Sequence, residues 1–66
     1  MVVLKSTAIK AAGYDPKSRI LSIKFTSGPR IYEYPEVPEY IFRNLIAAAS
    51  AGEYYNEHIK DQYSAR

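Results

Sequence analysis

The 66-residue sequence predicts a single α+β domain spanning residues 1–66. In this domain a three-stranded antiparallel β-meander is followed by two short α-helices packed on one sheet face. Short strand-like runs separated by turn residues fill the first half of the chain, and helical spacing of apolar residues fills the second. A chain this short buries only about 60% of its unfolded surface, so most of the seven tyrosines are expected to serve the core.

The run from Ile20 to Thr26 is the clearest predicted strand, because Leu21, Ile23 and Phe25 alternate there with polar residues. This period of two puts the three apolar side chains on one face of the sheet and Lys24 on the other. The apolar face needs a cover, which the helices are expected to supply.

Two flanking strands complete the predicted meander. The earlier one runs from Ser6 to Tyr14, and its Gly13 marks a bulge or a close approach of another part of the backbone. The later one runs from Arg30 to Tyr34 and ends at Pro35, which cannot donate a ladder hydrogen bond. Turn residues at 15–18 and 27–29 join consecutive strands.

Pro38 suits the first position of a helix, and an apolar stripe follows it at helical spacing. The stripe consists of Ile41, Phe42, Leu45, Ile46, Ala48 and Ala49. Ser50 and Glu53 have capping-box spacing, so Ser50 is expected to start a second helix after a sharp bend. Tyr55, Ile59 and Tyr63 form a narrow apolar seam on that helix, and residues 64–66 are expected to fray.

Tyr32 and Tyr34 lie two residues apart and therefore share one strand face with Arg30. One interpretation is a platform on which bases stack, with Arg30 near phosphate. The other is a core face, with the rings under the helices. Glu33 favours the core interpretation, because a carboxylate is rarely buried unpaired and its own face should be the wet one. The predicted core is Ile9, Leu21, Ile23, Phe25, Tyr32, Tyr34, Ile41, Leu45, Tyr55 and Ile59.

Composition argues against several classes of function. The chain has no cysteine, and His58 is its only histidine, so we expect no metal site and no cofactor. No apolar run approaches the length of a membrane span, and no signal peptide is recognisable, which together predict a cytoplasmic protein without a membrane partner. Catalytic motifs are missing and a core this small leaves little room for a cleft, so an enzyme is not expected.

The order and spacing of several short motifs resemble the KTSC domain family, a module named after the C-terminus of some lysyl-tRNA synthetases. The matching residues are Ser6, Ile9, Gly13-Tyr14-Asp15, Leu21, Phe25, Ser27-Gly28, Tyr32-Glu33-Tyr34, Val37-Pro38, Ser50-x-Gly52 and Tyr55-Asn56-x-x-Ile59. Tyr55 stands where the family often has phenylalanine, a conservative departure. The family also includes free-standing small proteins and has no established activity. Its attachment to a tRNA-charging enzyme implies RNA binding by association alone.

Two classes of binding function remain open at this point. The first is a module for RNA or single-stranded nucleic acid, which would use a mildly basic surface. Its residues would be Lys10, Lys24, Arg30, Arg43 and Lys60, with Tyr54 as a stacking ring. The second is a protein-interaction module that binds another protein or self-associates through the sheet edge or the open sheet face. The same cations are also typical of an ordinary solvated surface, and Arg43 is expected to pair with Glu39.

Overall fold

The computed structural model of the chain describes all residues from 1 to 66 and contains one sheet and two helices. The strands are β1 (Val2–Val3), β2 (Ile9–Asp15), β3 (Ile20–Phe25) and β4 (Ile31–Tyr34), and the helices are α1 (Glu39–Ala47) and α2 (Ala51–His58). The strands pair antiparallel in the order β1-β2-β3-β4. The predicted α+β class is therefore confirmed.

The predicted number of strands was wrong, because the sheet has four strands rather than three. The additional strand is β1, in which Val2 pairs with Ala12 and Val3 with Ala11. Two residues are too few to display the alternation by which a strand is recognised in sequence. Their β-branched side chains nonetheless suit a pleated surface.

Cross-strand partners share a face of the sheet, so the register separates an inner from an outer set of side chains. The inner set comprises Ala12 and Tyr14 of β2, Leu21 and Ile23 of β3, and Tyr32 and Tyr34 of β4. The register shifts between Ile9 and Ala11, which makes Lys10 the extra residue of a bulge. The bulge thus lies three residues before Gly13, where the sequence had indicated either a bulge or a close approach.

Both helices pack on the inner face and close the core. Of the ten residues predicted to form the core, seven are buried: Ile9, Leu21, Ile23, Tyr34, Ile41, Leu45 and Ile59. The aromatic residues Phe25, Tyr32 and Tyr55 are only partly buried and pack around this cluster. These three rings therefore lie at the rim of the core, a position that suits the hydroxyl ends of Tyr32 and Tyr55.

The helix boundaries follow the local capping chemistry. Ser50 caps α2, since its Oγ accepts a hydrogen bond from the Glu53 N–H at 3.3 Å. Pro38 is extended and is the N-cap residue of α1, so the helix begins at Glu39, one residue later than predicted. The helix α1 ends at Ala47 and α2 ends at His58. Four residues therefore lie outside the helices to which the apolar spacing assigned them: Ala48, Ala49, Ile59 and Tyr63.

The turn between β2 and β3 is organised by Asp15. Its Oδ1 accepts a hydrogen bond from the Lys17 N–H at 3.0 Å, and its carbonyl accepts one from the Arg19 N–H. The hydrogen bond from Lys17 is the main reason why the pKa of Asp15 is lowered. Aspartate thus fixes this connection in the way the turn prediction expected.

Candidate binding surface

The face of the sheet opposite the helices carries side chains from all four strands. We call this surface the open face. One cross-strand row consists of Val3, Ala11, Lys24 and Ile31, and the next consists of Gly13, Ser22 and Glu33. Met1 completes the second row, because a Cβ atom built on Gly13 would lie 3.2 Å from the Met1 Cγ. Gly13 therefore allows a close approach, one of the two roles expected of it.

The open face has large apolar side chains at both margins and small residues on β2. Val3 is 78% exposed and Met1 59% exposed at the β1 margin, while Ile31 is 50% exposed at the β4 margin. The small residues Ala11 and Gly13 lie between these margins on β2. The two margins of the open face therefore carry its large exposed apolar side chains, with small residues between them on β2.

Lys24 is the cation of this surface and lies on the inner strand β3. It takes part in none of the three ion pairs of the molecule, which join Arg43 to Glu39, His58 to Glu57 and Arg66 to Glu33. Glu33, at the margin, is thus matched by Arg66, whereas the ammonium group of Lys24 has no carboxylate within 4.0 Å. An unmatched positive charge therefore lies within a mainly apolar surface.

The inner aromatic side chains form a chain of edge-to-face contacts along the rim of the core. Phe25 contacts Tyr32 and Tyr55 with ring centroids 5.5 Å and 5.1 Å apart. The hydroxyl groups of Tyr34 and Tyr55 share a hydrogen bond of 2.7 Å. Burial, followed by this hydrogen bond, raises the pKa of Tyr34. Tyr32 and Tyr34 accordingly face the helices and do not form a stacking platform on the open face.

The predicted basic residues are distributed over both layers of the domain. Lys24 projects from the open face, and Lys10 is the exposed bulge residue beside Ala11. Arg30 belongs to the other side, since its guanidinium lies 5.0 Å from the centroid of the Tyr32 ring. Arg43 is on α1, where its Nη2 lies 2.9 Å from Glu39 Oε2, and Lys60 follows α2. The five cations therefore do not lie together on one face of the domain.

Tyr54, the predicted stacking residue, already has a ring partner within the protein. Its centroid lies 4.5 Å from that of His58, one turn further along α2, and its side chain is partly buried against the core. The more exposed phenol of the helical layer is Tyr40, which is 61% exposed and which the sequence did not single out.

A groove of about 480 Å³ lies between residues 4–7 and the bend that joins α1 to α2. Two of the polar side chains that line the groove already form hydrogen bonds within the protein. Ser6 Oγ accepts hydrogen bonds from the N–H groups of Ala8 and Ile9, and Ser50 Oγ caps α2. Because these two hydroxyl oxygens already accept backbone hydrogen bonds, they are less available to bind a ligand in the groove.

Sequence reasoning missed Met1 and Val3, because β1 was not recognised. The available signal was the β-branched pair Val2–Val3 directly after Met1. Residues 64–66, which were expected to fray, lie outside the helices and strands, but Arg66 contacts β4. The Arg66 N–H donates a hydrogen bond of 2.9 Å to the Glu33 carbonyl. A contact so distant in sequence leaves no local pattern from which it could be predicted.

The four-stranded sheet covered by two short helices defines a small α+β module with one uncovered face. The chain belongs to the KTSC domain family, whose model matches residues 5–63. It is 45% identical over 65 residues to a protein of Tsukamurella paurometabola, and the match covers 98% of this chain and 96% of that protein. A crystal structure of a KTSC domain protein from Yersinia pestis matches 97% of this chain and 89% of its own, with 34% identity and a TM-score of 0.90.

A larger relative is a lysine–tRNA ligase of Nostoc sp., which is 42% identical over 55 residues. That match covers 83% of this chain and only 10% of the ligase. The module thus occurs both as most of a small protein and as a small part of an enzyme. Neither α1 nor α2 is long and apolar enough to cross a membrane.

Proposed function

We propose that the chain is a non-catalytic protein-interaction module that docks a partner on its open face. The observation that carries this proposal is the clustering of exposed apolar side chains. Of the five large hydrophobic residues that are exposed, three lie on the open face: Met1, Val3 and Ile31. Met1 and Val3 share the β1 margin, and Ile31 lies at the opposite margin of the same face. Single exposed apolar residues are ordinary, whereas several large ones on one uncovered face favour an interaction site.

The partner is an apolar protein surface that carries a carboxylate. Lys24 lies on the open face and has no ion-pair partner, so a docked apolar surface would bury its positive charge unless it brought a negative one. The charge of Lys24 therefore favours an acidic-apolar segment over a neutral one.

A second copy of this chain fits the open face poorly. With strands about 4.8 Å apart and residues about 3.3 Å apart along them, the face measures roughly 300 Å². A stable interface buries about 800 Å² on each partner. Two-fold pairing would also bring two Lys24 ammonium groups toward each other. A different, acidic partner bound transiently is consistent with both the area and the charge.

RNA binding is the competing function, and its support is the presence of a similar module in lysine–tRNA ligases. The placement of the cations favours the protein partner instead. Lys24 and Arg43 lie on opposite layers, and Arg43 already pairs with Glu39. A phosphate backbone following one surface would therefore meet few of the predicted cations at once.

Affinity capture with surface variants tests the proposal. The wild-type chain is compared with Ile31→Glu, which adds a charge to the open face, and with Tyr40→Glu, which adds the same charge to an equally exposed apolar site on α1. We expect an acidic partner to be captured by the wild type and Tyr40→Glu but lost with Ile31→Glu, and the purified partner to bind in the same order. Capture that is unaffected by Ile31→Glu would contradict the proposal.

Titration of purified tRNA and of a single-stranded RNA at two salt concentrations provides the second arm. We expect no binding at low salt beyond that of an unrelated protein of equal net charge. Tight binding that weakens steeply with salt would instead establish the nucleic-acid function.

A further inference from the structure

We propose that the free edge of β4 is a separate recognition site, which accepts an extended peptide as a fifth strand and selects a basic residue opposite Glu33. This inference does not depend on docking at the open face. It concerns backbone hydrogen bonds at the sheet edge, whereas the open face acts through its side chains.

The C-terminal residue of the chain shows how this edge is recognised. The Arg66 N–H donates a hydrogen bond of 2.9 Å to the Glu33 carbonyl, and the Arg66 Nε lies 3.5 Å from Glu33 Oε1. One residue thus supplies both a strand-like backbone bond and a matching charge. These are the two contacts that an added strand with an arginine at this register would make.

Further backbone groups are available beside this contact. In an edge strand, the backbone groups of alternate residues point away from the sheet, so those of Ile31 face outward together with those of Glu33. Ile31 makes no backbone hydrogen bond outside the regular strand pairing. An extended peptide can therefore bond to Ile31 as well as to Glu33.

The register specifies the sequence of the peptide. Ile31 and Glu33 both lie on the open face, so the peptide residues opposite them are two positions apart and on the same side. In an antiparallel strand the residue opposite Glu33 comes first, which gives the order basic residue, any residue, apolar residue. The apolar residue packs beside the half-exposed side chain of Ile31.

The contact between Arg66 and the edge of β4 is weak. The side chains of Arg66 and Glu33 are 59% and 48% exposed, and exposed ion pairs of this kind contribute little. A single residue also provides only one backbone hydrogen bond, while a peptide of several residues provides more. We therefore expect an extended peptide to displace Arg66 from this edge.

Two capped synthetic peptides test the proposal on the full chain, one of sequence TVRTVTV and the other TVETVTV. In NMR titrations we expect the arginine peptide to shift and protect the Ile31 amide and to bind about threefold to fivefold more tightly than the glutamate peptide. In the Glu33→Lys variant this preference should reverse. Arg66→Ala, which removes the competing side chain, should strengthen binding of the arginine peptide.

Several outcomes would overturn the proposal. One is the absence of any change at the Ile31 amide with millimolar peptide, and another is an equal response to both peptides in the wild type and in Glu33→Lys. Val3→Glu alters the open face at the opposite margin and should leave peptide binding unchanged. Because Ile31 belongs to both sites, Val3→Glu is the variant that separates them: it should weaken open-face docking alone.

Discussion

Tyr34 joins the sheet to α2 through its hydroxyl group, which lies 2.7 Å from that of Tyr55. The Tyr34 side chain is 4% exposed, so its hydroxyl has little access to water as a substitute partner. Tyr55 is only partly buried, and its hydroxyl can be rehydrated more easily. The hydrogen bond therefore matters more to Tyr34 than to Tyr55.

Replacing Tyr55 by phenylalanine should thus lower the free energy of unfolding by about 1–2 kcal/mol, because it leaves the buried Tyr34 hydroxyl without its partner. Tyr34→Phe should cost less, since the remaining Tyr55 hydroxyl can turn to solvent. Urea unfolding of both variants, with the exposed Tyr40→Phe as control, measures the difference. Equal costs for the two changes would contradict this account of the pair.

Stability should also decrease at alkaline pH. Tyrosine has an ordinary pKa of 10.0, and burial together with the Tyr55 hydrogen bond raises that of Tyr34 in the folded state. Above pH 10 the unfolded chain consequently binds fewer protons than the folded one, so the free energy of unfolding falls as pH rises. Below pH 10 the contribution of Tyr34 is fully present. Unfolding measured from pH 8 to 11 should show a shallower decline for Tyr34→Phe than for Tyr40→Phe.

At single positions, the sequence predicted burial from the polarity of neighbours. The carboxylate of Glu33 is exposed, and Tyr34 beside it is buried, as the alternation required. The same alternation put Arg30 on the face of Tyr32, and the structure agrees, but it could not predict which ring the guanidinium contacts. Its contact with Tyr32 at 5.0 Å became visible only in three dimensions.

Among the elements, α2 is fixed by a close contact with the segment before β2. A Cβ atom at Gly52 would lie 3.0 Å from the Ala8 Cβ, which is tighter than ordinary van der Waals contact. Alanine in place of glycine favours a helix by about 1 kcal/mol, so propensity and packing oppose each other here. The rigid attachment of Ala8 to its backbone should let packing dominate.

We therefore expect Gly52→Ala to lower the free energy of unfolding despite the better helix propensity, by about 1 kcal/mol. Combining it with Ala8→Gly should recover part of the loss, because the second change removes the atom that is contacted. A four-member thermodynamic cycle by chemical denaturation tests this coupling. If Gly52→Ala stabilises the protein alone, the contact is not tight in solution.

Element prediction succeeded where a pattern repeats and failed where it does not. β3 was recognisable because Leu21 and Ile23 continue an alternation over six residues. β1 has two residues and was missed, although it supplies one margin of the open face. The bend between the helices was recognisable from a single side chain, because Ser50 has a specific capping role.

At the scale of the whole molecule, helices cover one face of the sheet and leave the other uncovered. The class of fold and the covered face followed from sequence. The candidate binding surface did not, because its apolar margins come from β1 and β4, which are far apart in sequence and at opposite edges of the sheet. Its positive charge at Lys24 was placed on the correct face by alternation alone.

The most direct test compares two lysine variants, Lys24→Glu on the open face and Lys60→Glu after α2, in binding to the captured protein partner and to tRNA. Our account predicts that Lys24→Glu abolishes partner binding, that Lys60→Glu leaves it within about twofold of wild type, and that tRNA is not bound. Equal, salt-dependent weakening of tRNA binding by both variants, with no effect of Lys24→Glu on any protein partner, would contradict it.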